Sequence, residues 1–161
     1  MKENWQEQLH TLLNCDLKQL FPLARSMNRK LKFFVGPTNS GKTYNAMKEL
    51  KEANSGLYLA PLRLLALEGH EELKEAGIEN SLITGEEQML NEDAAHVCST
   101  IEMIDFDLDV DVAVIDEVQM LDDNDRGWAW VNAIIGVPAK KVIMTGSVNA
   151  LEAVKNCFLF R

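Results

Sequence analysis

Eight residues near the start of the chain decide its fold: Gly36-Pro37-Thr38-Asn39-Ser40-Gly41-Lys42-Thr43. They match the phosphate-binding pattern GxxxxGK(S/T) at every fixed position. The glycines let backbone N–H groups curve around a phosphate without an obstructing Cβ, and a helix starting near Lys42 directs its positive end at the anion. We therefore expect these eight residues to bind the phosphates of ATP, with Lys42 at the β- and γ-phosphates and the Thr43 hydroxyl on Mg²⁺.

The sequence around this loop alternates between strand and helix patterns. An apolar run at 31–35 predicts a strand before the loop, and residues 42–51 predict a helix after it. Further strands are predicted at 57–60, 81–84, 96–99, 112–115, 141–144 and 157–160, and further helices at 62–73 and 126–135. Strands that alternate with helices predict an α/β fold with a mainly parallel sheet. Together with the loop, this pattern predicts a P-loop NTPase.

A second motif follows the most apolar of these strands, at residues 112–119, which read VAVIDEVQ. A carboxylate at the end of a buried strand needs a partner, because burial of a charge in an apolar environment is costly. Magnesium is such a partner. We expect Asp116 to hold the ion, mostly through water, and Glu117 to polarise the attacking water.

Composition narrows the class of protein. The chain of 161 residues is 47% hydrophobic and 25% charged, which is typical of one soluble domain. Residues 51–161 carry eight Lys/Arg and twenty-one Asp/Glu, a net charge of −13. Such an acidic region is a poor general binder of nucleic acid, so any such binding must use local contacts.

Location and metal content are also predicted from what the sequence lacks. No apolar stretch approaches the roughly 18 residues of a membrane span. The first ten residues, MKENWQEQLH, resemble neither a secretory signal nor an Arg-rich transit peptide, so we predict a cytoplasmic protein. The three cysteines are widely spaced and form no CxxC pair. We expect no zinc site, and buried thiols instead.

Beyond the two motifs, the chain resembles the first RecA-like lobe of a superfamily two helicase, and within that class the ATP-dependent RNA helicase of the mitochondrial RNA degradosome and its bacterial relatives. The segments that carry the resemblance are GPTNSGKTY at 36–44, APLRLLALE at 60–68, TGEE at 84–87, CSTIEM at 98–103, DEVQM at 116–120, RGWAW at 126–130 and TGS at 145–147. The resemblance implies a RecA-like three-layer sandwich at 31–161, preceded by a helical segment at 1–30.

The resemblance also implies roles for single residues. Gln119 would sense the γ-phosphate, and Thr145 and Ser147 would couple the nucleotide site to the nucleic-acid groove. The residues implied to lie on the strand-binding face are Pro61, Arg63, Gly85 and Thr100. Arg63 would contact a phosphate by a charge-assisted hydrogen bond. For Trp128, its helical spacing from Val131 and Ile135 favours core packing over base stacking.

The implied activity is ATP-dependent unwinding of a single-stranded or tailed nucleic acid, RNA by resemblance, with DNA left open. The family's second RecA-like lobe, which supplies the arginine fingers, is not among these 161 residues. The lobe by itself is therefore expected to bind Mg-ATP and to hydrolyse it poorly. Two alternatives stay open: a thymidine kinase-like P-loop kinase, whose zinc site would need clustered cysteines, and a nucleotide-dependent binding module without turnover.

Overall fold

The structure, a computed structural model, describes residues 22–37 and 41–159. Its strands are β1 (Lys30–Val35), β2 (Gly56–Ala60), β3 (Asn80–Ile83), β4 (Gln88–Met89), β5 (His96–Thr100), β6 (Val110–Ile115) and β7 (Ala139–Gly146). Its α-helices are α1 (Pro22–Ser26), α2 (Lys42–Glu52), α3 (Arg63–Glu75), α4 (Gly127–Gly136) and α5 (Val148–Leu159). Two 3₁₀ helices span Ile101–Met103 and Val118–Asp122.

The seven described strands form one sheet in the order β1-β7-β6-β2-β5-β3-β4. Every neighbouring pair is parallel except β3 and β4, which are antiparallel at one edge. The predicted α/β fold with a mainly parallel sheet is confirmed. Because all the parallel strands point the same way, the loops that follow them meet at a single edge of the sheet.

Alternate residues of the central strands bury their side chains on opposite faces. In β2, Leu57 and Leu59 contact the core shared with α4 and α5, whereas Tyr58 and Ala60 contact the core shared with α2 and α3. Each face therefore needs its own layer of helices, because a strand buried on both sides exposes apolar groups in both directions. This arrangement is the three-layer sandwich that the sequence predicts.

The carboxyl-terminal region differs from the prediction. Residues 157–160 were expected to form a strand, but Cys157 lies within α5, which runs to Leu159. A short apolar run cannot be told from one face of a helix by periodicity alone. The buried residues Ala150 and Val154 of this helix are four positions apart and pack against the core. At the other end, the predicted helical segment falls mostly on residues 1–21, outside the described residues.

The prediction that Trp128 packs in the core is wrong. Trp128, predicted to be core, is 55% exposed, and Trp130 is fully buried. Helix α4 is apolar on nearly every side, so two stripes with helical spacing fit the sequence equally well. The stripe that packs contains Trp130, Val131 and Ile134.

The prediction of buried thiols is confirmed for Cys98, which is fully buried and free. Burial raises the pKa of its thiol to about 12. A thiol with so high a pKa is inert at neutral pH, so Cys98 serves as a small apolar core residue. Cys15 and the side chain of Cys157 lie outside the described residues.

Gly127 begins α4 where the chain turns closely against the preceding 3₁₀ helix. A Cβ at this position would lie 2.4 Å from the carbonyl oxygen of Leu121 and 3.1 Å from its carbon. The clash is with backbone, which cannot rotate away as a side chain can. We expect Gly127→Ala to lower the free energy of unfolding by about 1–3 kcal/mol, measured by chemical denaturation.

Gly85 offers a matched control, because nothing lies within 4 Å of a Cβ placed there. Gly85→Ala should change the free energy of unfolding by less than about 0.5 kcal/mol. Equal stabilities of the two variants would contradict the packing described for Gly127.

Candidate functional site

The phosphate-binding loop and the acidic motif lie beside each other at the carboxyl edge of the sheet. The loop leaves β1 at Gly36, and Asp116 follows β6 directly. Strand β7 lies between these two strands and ends at Thr145 and Gly146. The backbone N–H of Gly36 donates to the carbonyl oxygen of Gly146 at 3.2 Å, which fixes the start of the loop against the strand between the motifs.

The described part of the loop contains a left-handed glycine followed directly by a helix. Gly41 has φ +80°, a left-handed conformation that favours glycine, and α2 begins at the next residue. Lys42 is buried, and its Nζ donates to the carbonyl oxygen of Gly36 at 2.9 Å. The lysine thus reaches back across the loop toward its first residue. Thr38, Asn39 and Ser40 lie outside the described residues, and Pro37 is the last residue described before them.

Asp116 is only 2% exposed and is surrounded by hydrogen-bond donors. Its Oδ1 accepts from Thr43 Oγ1 at 3.3 Å, from the backbone N–H of Glu117 at 3.1 Å, and from Thr145 Oγ1. These three donors come from the P-loop helix, from the acidic motif itself and from the end of β7. One carboxylate oxygen therefore joins residues that the sequence assigned to phosphate, metal and coupling roles.

Glu117 has an unusual backbone conformation, with φ 54° in the left-handed region. Its N–H also donates to Thr145 Oγ1 at 3.1 Å. Its carboxylate accepts a hydrogen bond from Gln119 Nε2, while Gln119 Oε1 is buried and has no hydrogen-bond partner among the described residues. A buried oxygen without a partner is costly unless a ligand or water supplies a donor, so this part of the site is suited to receive one.

Two residues at this site were given no role in it by the sequence, although Trp130 ends the segment RGWAW. Tyr58, in β2, donates from its hydroxyl to Asp116 Oδ2 at 2.7 Å, and Trp130 Nε1 donates to the Asp116 carbonyl oxygen at 3.0 Å. Burial and the neighbouring Asp116 carboxylate raise the pKa of Tyr58 well above its usual value, so the phenol keeps its proton. The available signal was a hydroxyl in the otherwise apolar strand GLYLA, since a buried tyrosine hydroxyl needs a partner.

The four residues predicted to face nucleic acid lie along the other half of the same edge. Thr100 ends β5 and pairs in register with Ala60, so Pro61 follows immediately beside it. Arg63 begins α3 and is paired with Glu87 at 2.9 Å and with Glu86 at 3.4 Å, in the turn that contains Gly85. The structure thus brings the four residues together, but a phosphate would have to displace two carboxylates to reach the Arg63 guanidinium.

Ser147 lies just beyond β7, where its carbonyl oxygen accepts the N–H of Ala150 in the first turn of α5. Of the two residues predicted to couple the sites, Thr145 is hydrogen-bonded to the acidic motif. Ser147 directly precedes α5.

Arg126 connects the two halves of the edge. Its Nη2 donates to the carbonyl oxygen of Pro61 at 2.6 Å, and its Nε donates to Glu102 Oε1 at 2.8 Å. Its guanidinium also lies 5.2 Å from the ring centroid of Trp130, the residue that holds the Asp116 carbonyl. With these three contacts, the partly exposed Arg126 side chain is directed at Glu102, Pro61 and Trp130 and not at the phosphate-binding loop.

The Asp116 carboxylate beside the Thr43 hydroxyl is a pair of groups that fits a magnesium ion. Within residues 22–37 and 41–159, no group of three or more His, Cys, Asp and Glu is placed to hold a metal. A single carboxylate beside a hydroxyl suits Mg²⁺, which keeps several waters and takes its remaining ligands from phosphates.

Across residues 22–37 and 41–159, none of the helices is long and apolar enough to span a membrane.

Comparison with known proteins places this architecture in a family. The model of the DEXQ-box helicase domain of Suv3 matches residues 18–159. The mitochondrial ATP-dependent RNA helicase SUV3 homolog of Caenorhabditis elegans is 46% identical over 139 residues, covering 84% of this chain and 19% of that relative. The human mitochondrial ATP-dependent RNA helicase SUPV3L1 is 41% identical over 163 residues, covering 92% of this chain and 21% of that relative.

A solved structure supports the fold. Saccharomyces cerevisiae Dbp5, in a complex with Nup159, Gle1, IP6 and ADP, is similar with a TM-score of 0.57 at 20% identity, covering 87% of this chain and 44% of that one. At that identity the likeness shows a shared RecA-like fold and nothing finer.

The relatives also correct the predicted location. The C. elegans and human relatives are both named as mitochondrial, so the prediction of a cytoplasmic protein is wrong. That prediction relied on the first ten residues having no targeting pattern. The chain spans about a fifth of the length of these relatives. The lack of a targeting pattern in ten residues therefore does not decide where the protein is located.

Proposed function

The chain belongs to the Suv3 family of DEXQ-box helicases, and from that premise we propose that it is the first RecA-like lobe of an ATP-dependent RNA helicase. The observation that carries the proposal is the meeting of the two motifs at Asp116. Its Oδ1 is bonded to Thr43 of the P-loop helix and to Thr145 of the strand between the motifs.

In this proposal, residues 36–43 surround the phosphates of ATP. Lys42 exchanges its bond to the Gly36 carbonyl for the β- and γ-phosphate oxygens, which are stronger acceptors because they are charged. Thr43, by its hydroxyl, and Asp116, mostly through water, would hold the magnesium ion. The ion, when bound, neutralises charge that develops on the phosphate oxygens.

Glu117 and Gln119 are proposed to act on the water and the γ-phosphate. The Glu117 carboxylate orients the attacking water and accepts its proton. Gln119 already donates to that carboxylate, and its free Oε1 can accept a hydrogen bond from the attacking water. Glu117 and Gln119 would therefore change their hydrogen bonds together when the γ-phosphate binds or is lost.

Pro61, Arg63, Gly85 and Thr100 are proposed to contact the backbone of single-stranded RNA. They lie at or just after the ends of β2, β5 and β3, which are one, two and three strands from β6 and Asp116. Arg126 bridges the two regions through Pro61 and Trp130. Thr145 and Ser147 are proposed to couple the nucleotide site to the nucleic-acid groove. RNA is preferred over DNA because the relatives are named as RNA helicases.

The proposed lobe occupies residues 31–161, with a helical segment at 1–30. Its turnover would depend on a second RecA-like lobe that supplies an arginine to the γ-phosphate, because Arg126 is already bonded to Glu102 and Pro61. Family membership does not favour the thymidine kinase alternative.

The test is made with residues 1–161 alone and with a second RecA-like lobe joined from a relative. We expect the single lobe to bind Mg-ATP in calorimetry, to release phosphate very slowly, and to leave a tailed RNA duplex intact in a fluorescence unwinding assay. Joining the second lobe should raise RNA-stimulated phosphate release by about 10³–10⁵-fold, the usual contribution of an arginine finger.

Each alternative predicts a different result, and thymidine is added to the ATP reaction as a control for the kinase. Phosphorylation of thymidine would identify a kinase, and ATP binding without turnover in the joined protein would identify a binding module. ATP-dependent unwinding by residues 1–161 alone would refute the dependence on a second lobe.

A further inference from the structure

Tyr58 places a hydroxyl group against the proposed metal-binding acid from a strand that no motif covers. All five residues of β2 are buried, and Tyr58 is 3% exposed. Its hydroxyl donates to Asp116 Oδ2 at 2.7 Å. The other oxygen of that carboxylate, Oδ1, takes the bonds from Thr43, Thr145 and the Glu117 N–H.

The two oxygens of Asp116 therefore have partners of different kinds. The side chains on Oδ1, Thr43 and Thr145, belong to residues proposed to change their contacts when nucleotide and metal bind. The partner of Oδ2 lies in the middle of a strand flanked on both sides. Tyr58 pairs in parallel register with Cys98 of β5 and with Val114 of β6. The backbone that carries the hydroxyl is thus held by two ladders of hydrogen bonds.

The ring of Tyr58 is also fixed by packing. It lies over Gly69 of α3, where an added Cβ would be 2.8 Å from ring atom Cδ1 and 2.9 Å from Cε1. Only glycine leaves room for the ring at this point of the helix. A ring held on a packed face has few alternative rotamers, so its hydroxyl is already in place against Asp116 before any ligand binds.

We propose that Tyr58 is a positioning residue that orients the Asp116 carboxylate for magnesium. This inference rests on the proposed nucleotide site. By holding Oδ2, Tyr58 fixes the rotation of the carboxylate and keeps Oδ1 directed at the P-loop helix and Thr43. Hydrogen bonds to an ionised acceptor are stronger than neutral ones, and partners behind a metal ligand typically change metal affinity by about 10–100-fold.

The test is Tyr58→Phe, which removes the hydroxyl and keeps the ring on Gly69. The dissociation constant of ADP is measured by calorimetry with Mg²⁺ and, separately, with EDTA. The ratio of the two constants reports how much magnesium adds to nucleotide binding. We expect this ratio to fall by about 10-fold in Tyr58→Phe, with the constant in EDTA unchanged.

The chain has two tyrosines, and the other one is the matched control. Tyr44 is 68% exposed on α2, so Tyr44→Phe removes the same atom without touching Asp116 and should leave the ratio unchanged. A second control combines Tyr58→Phe with Asp116→Asn. If Tyr58 acts through Asp116, the hydroxyl should matter little once that carboxylate is gone.

The possible results distinguish a failure of this inference from a failure of the proposed nucleotide site on which it rests. A wild-type protein without magnesium-dependent nucleotide binding would overturn both. A normal ratio in a folded Tyr58→Phe protein, with only its melting temperature lowered, would show a structural tyrosine and overturn the positioning role alone. An equal loss in the Asp116→Asn background would also overturn it. Circular dichroism confirms the fold of each variant.

Discussion

Lys42→Ala is expected to weaken ATP binding by about 10²–10³-fold, which places it beyond measurement by calorimetry at ordinary concentrations. Removing one partner of a hydrogen-bonded charge pair typically costs about 2–5 kcal/mol, and each 1.4 kcal/mol is a factor of ten in affinity. In the structure, Lys42 Nζ is bonded to the Gly36 carbonyl across the loop. The amine therefore already lies inside the loop that is proposed to enclose the phosphates.

The control for this variant is Lys48→Ala on the same helix. Lys48 lies in α2 and is exposed, so the substitution removes the same charge from the same element without reaching the loop. It should bind ATP as the wild type does. Circular dichroism should show both variants folded, since Gly36 keeps its backbone bond to Gly146. Tight ATP binding by Lys42→Ala would refute the assignment of the loop.

Glu117→Gln should preserve Mg-ATP binding and reduce hydrolysis by about 10²–10⁴-fold, the usual contribution of a general base. The substituted amide keeps the size of the side chain and can still accept the hydrogen bond from Gln119 Nε2. It cannot accept a proton from water. The measurement is single-turnover phosphate release by the protein joined to a second lobe, because the single lobe is expected to be slow in any case.

Glu75→Gln serves as the control, since this exposed acid ends α3 at the opposite end of that helix from Arg63. Its rate should equal that of the wild type. If Glu117→Gln releases phosphate as fast as that control, the acidic motif has been assigned the wrong role.

The motifs could be predicted from the sequence because each is local. The P-loop needs a strand, a glycine turn and a helix in succession, and all three have local patterns between β1 and α2. Asp116 is recognisable because a carboxylate ends a run of buried apolar residues. Such signals depend on neighbours in sequence, which are known before the fold is known.

The contacts of Asp116 with Tyr58 and Trp130 could not be predicted in the same way. Tyr58 meets Asp116 because β2 pairs with β6, and sequence periodicity does not give the order of strands in a sheet. The stripe that contains Trp128 fitted the sequence as well as the stripe that contains Trp130, because α4 is apolar around most of its circumference. In both cases the contact depends on packing between residues far apart in the sequence, which local sequence patterns do not specify.

Because the backbone at Glu117 is left-handed, the residue that would be most stable there differs from the residue that the proposed activity needs. A side chain other than glycine in that region usually carries local strain, which the rest of the fold has to overcome. Selection for thermal stability alone would favour glycine or asparagine there, because both tolerate the conformation. Either replacement would discard the acid proposed to act on water. A library of variants ranked by melting temperature would therefore enrich inactive proteins at this position.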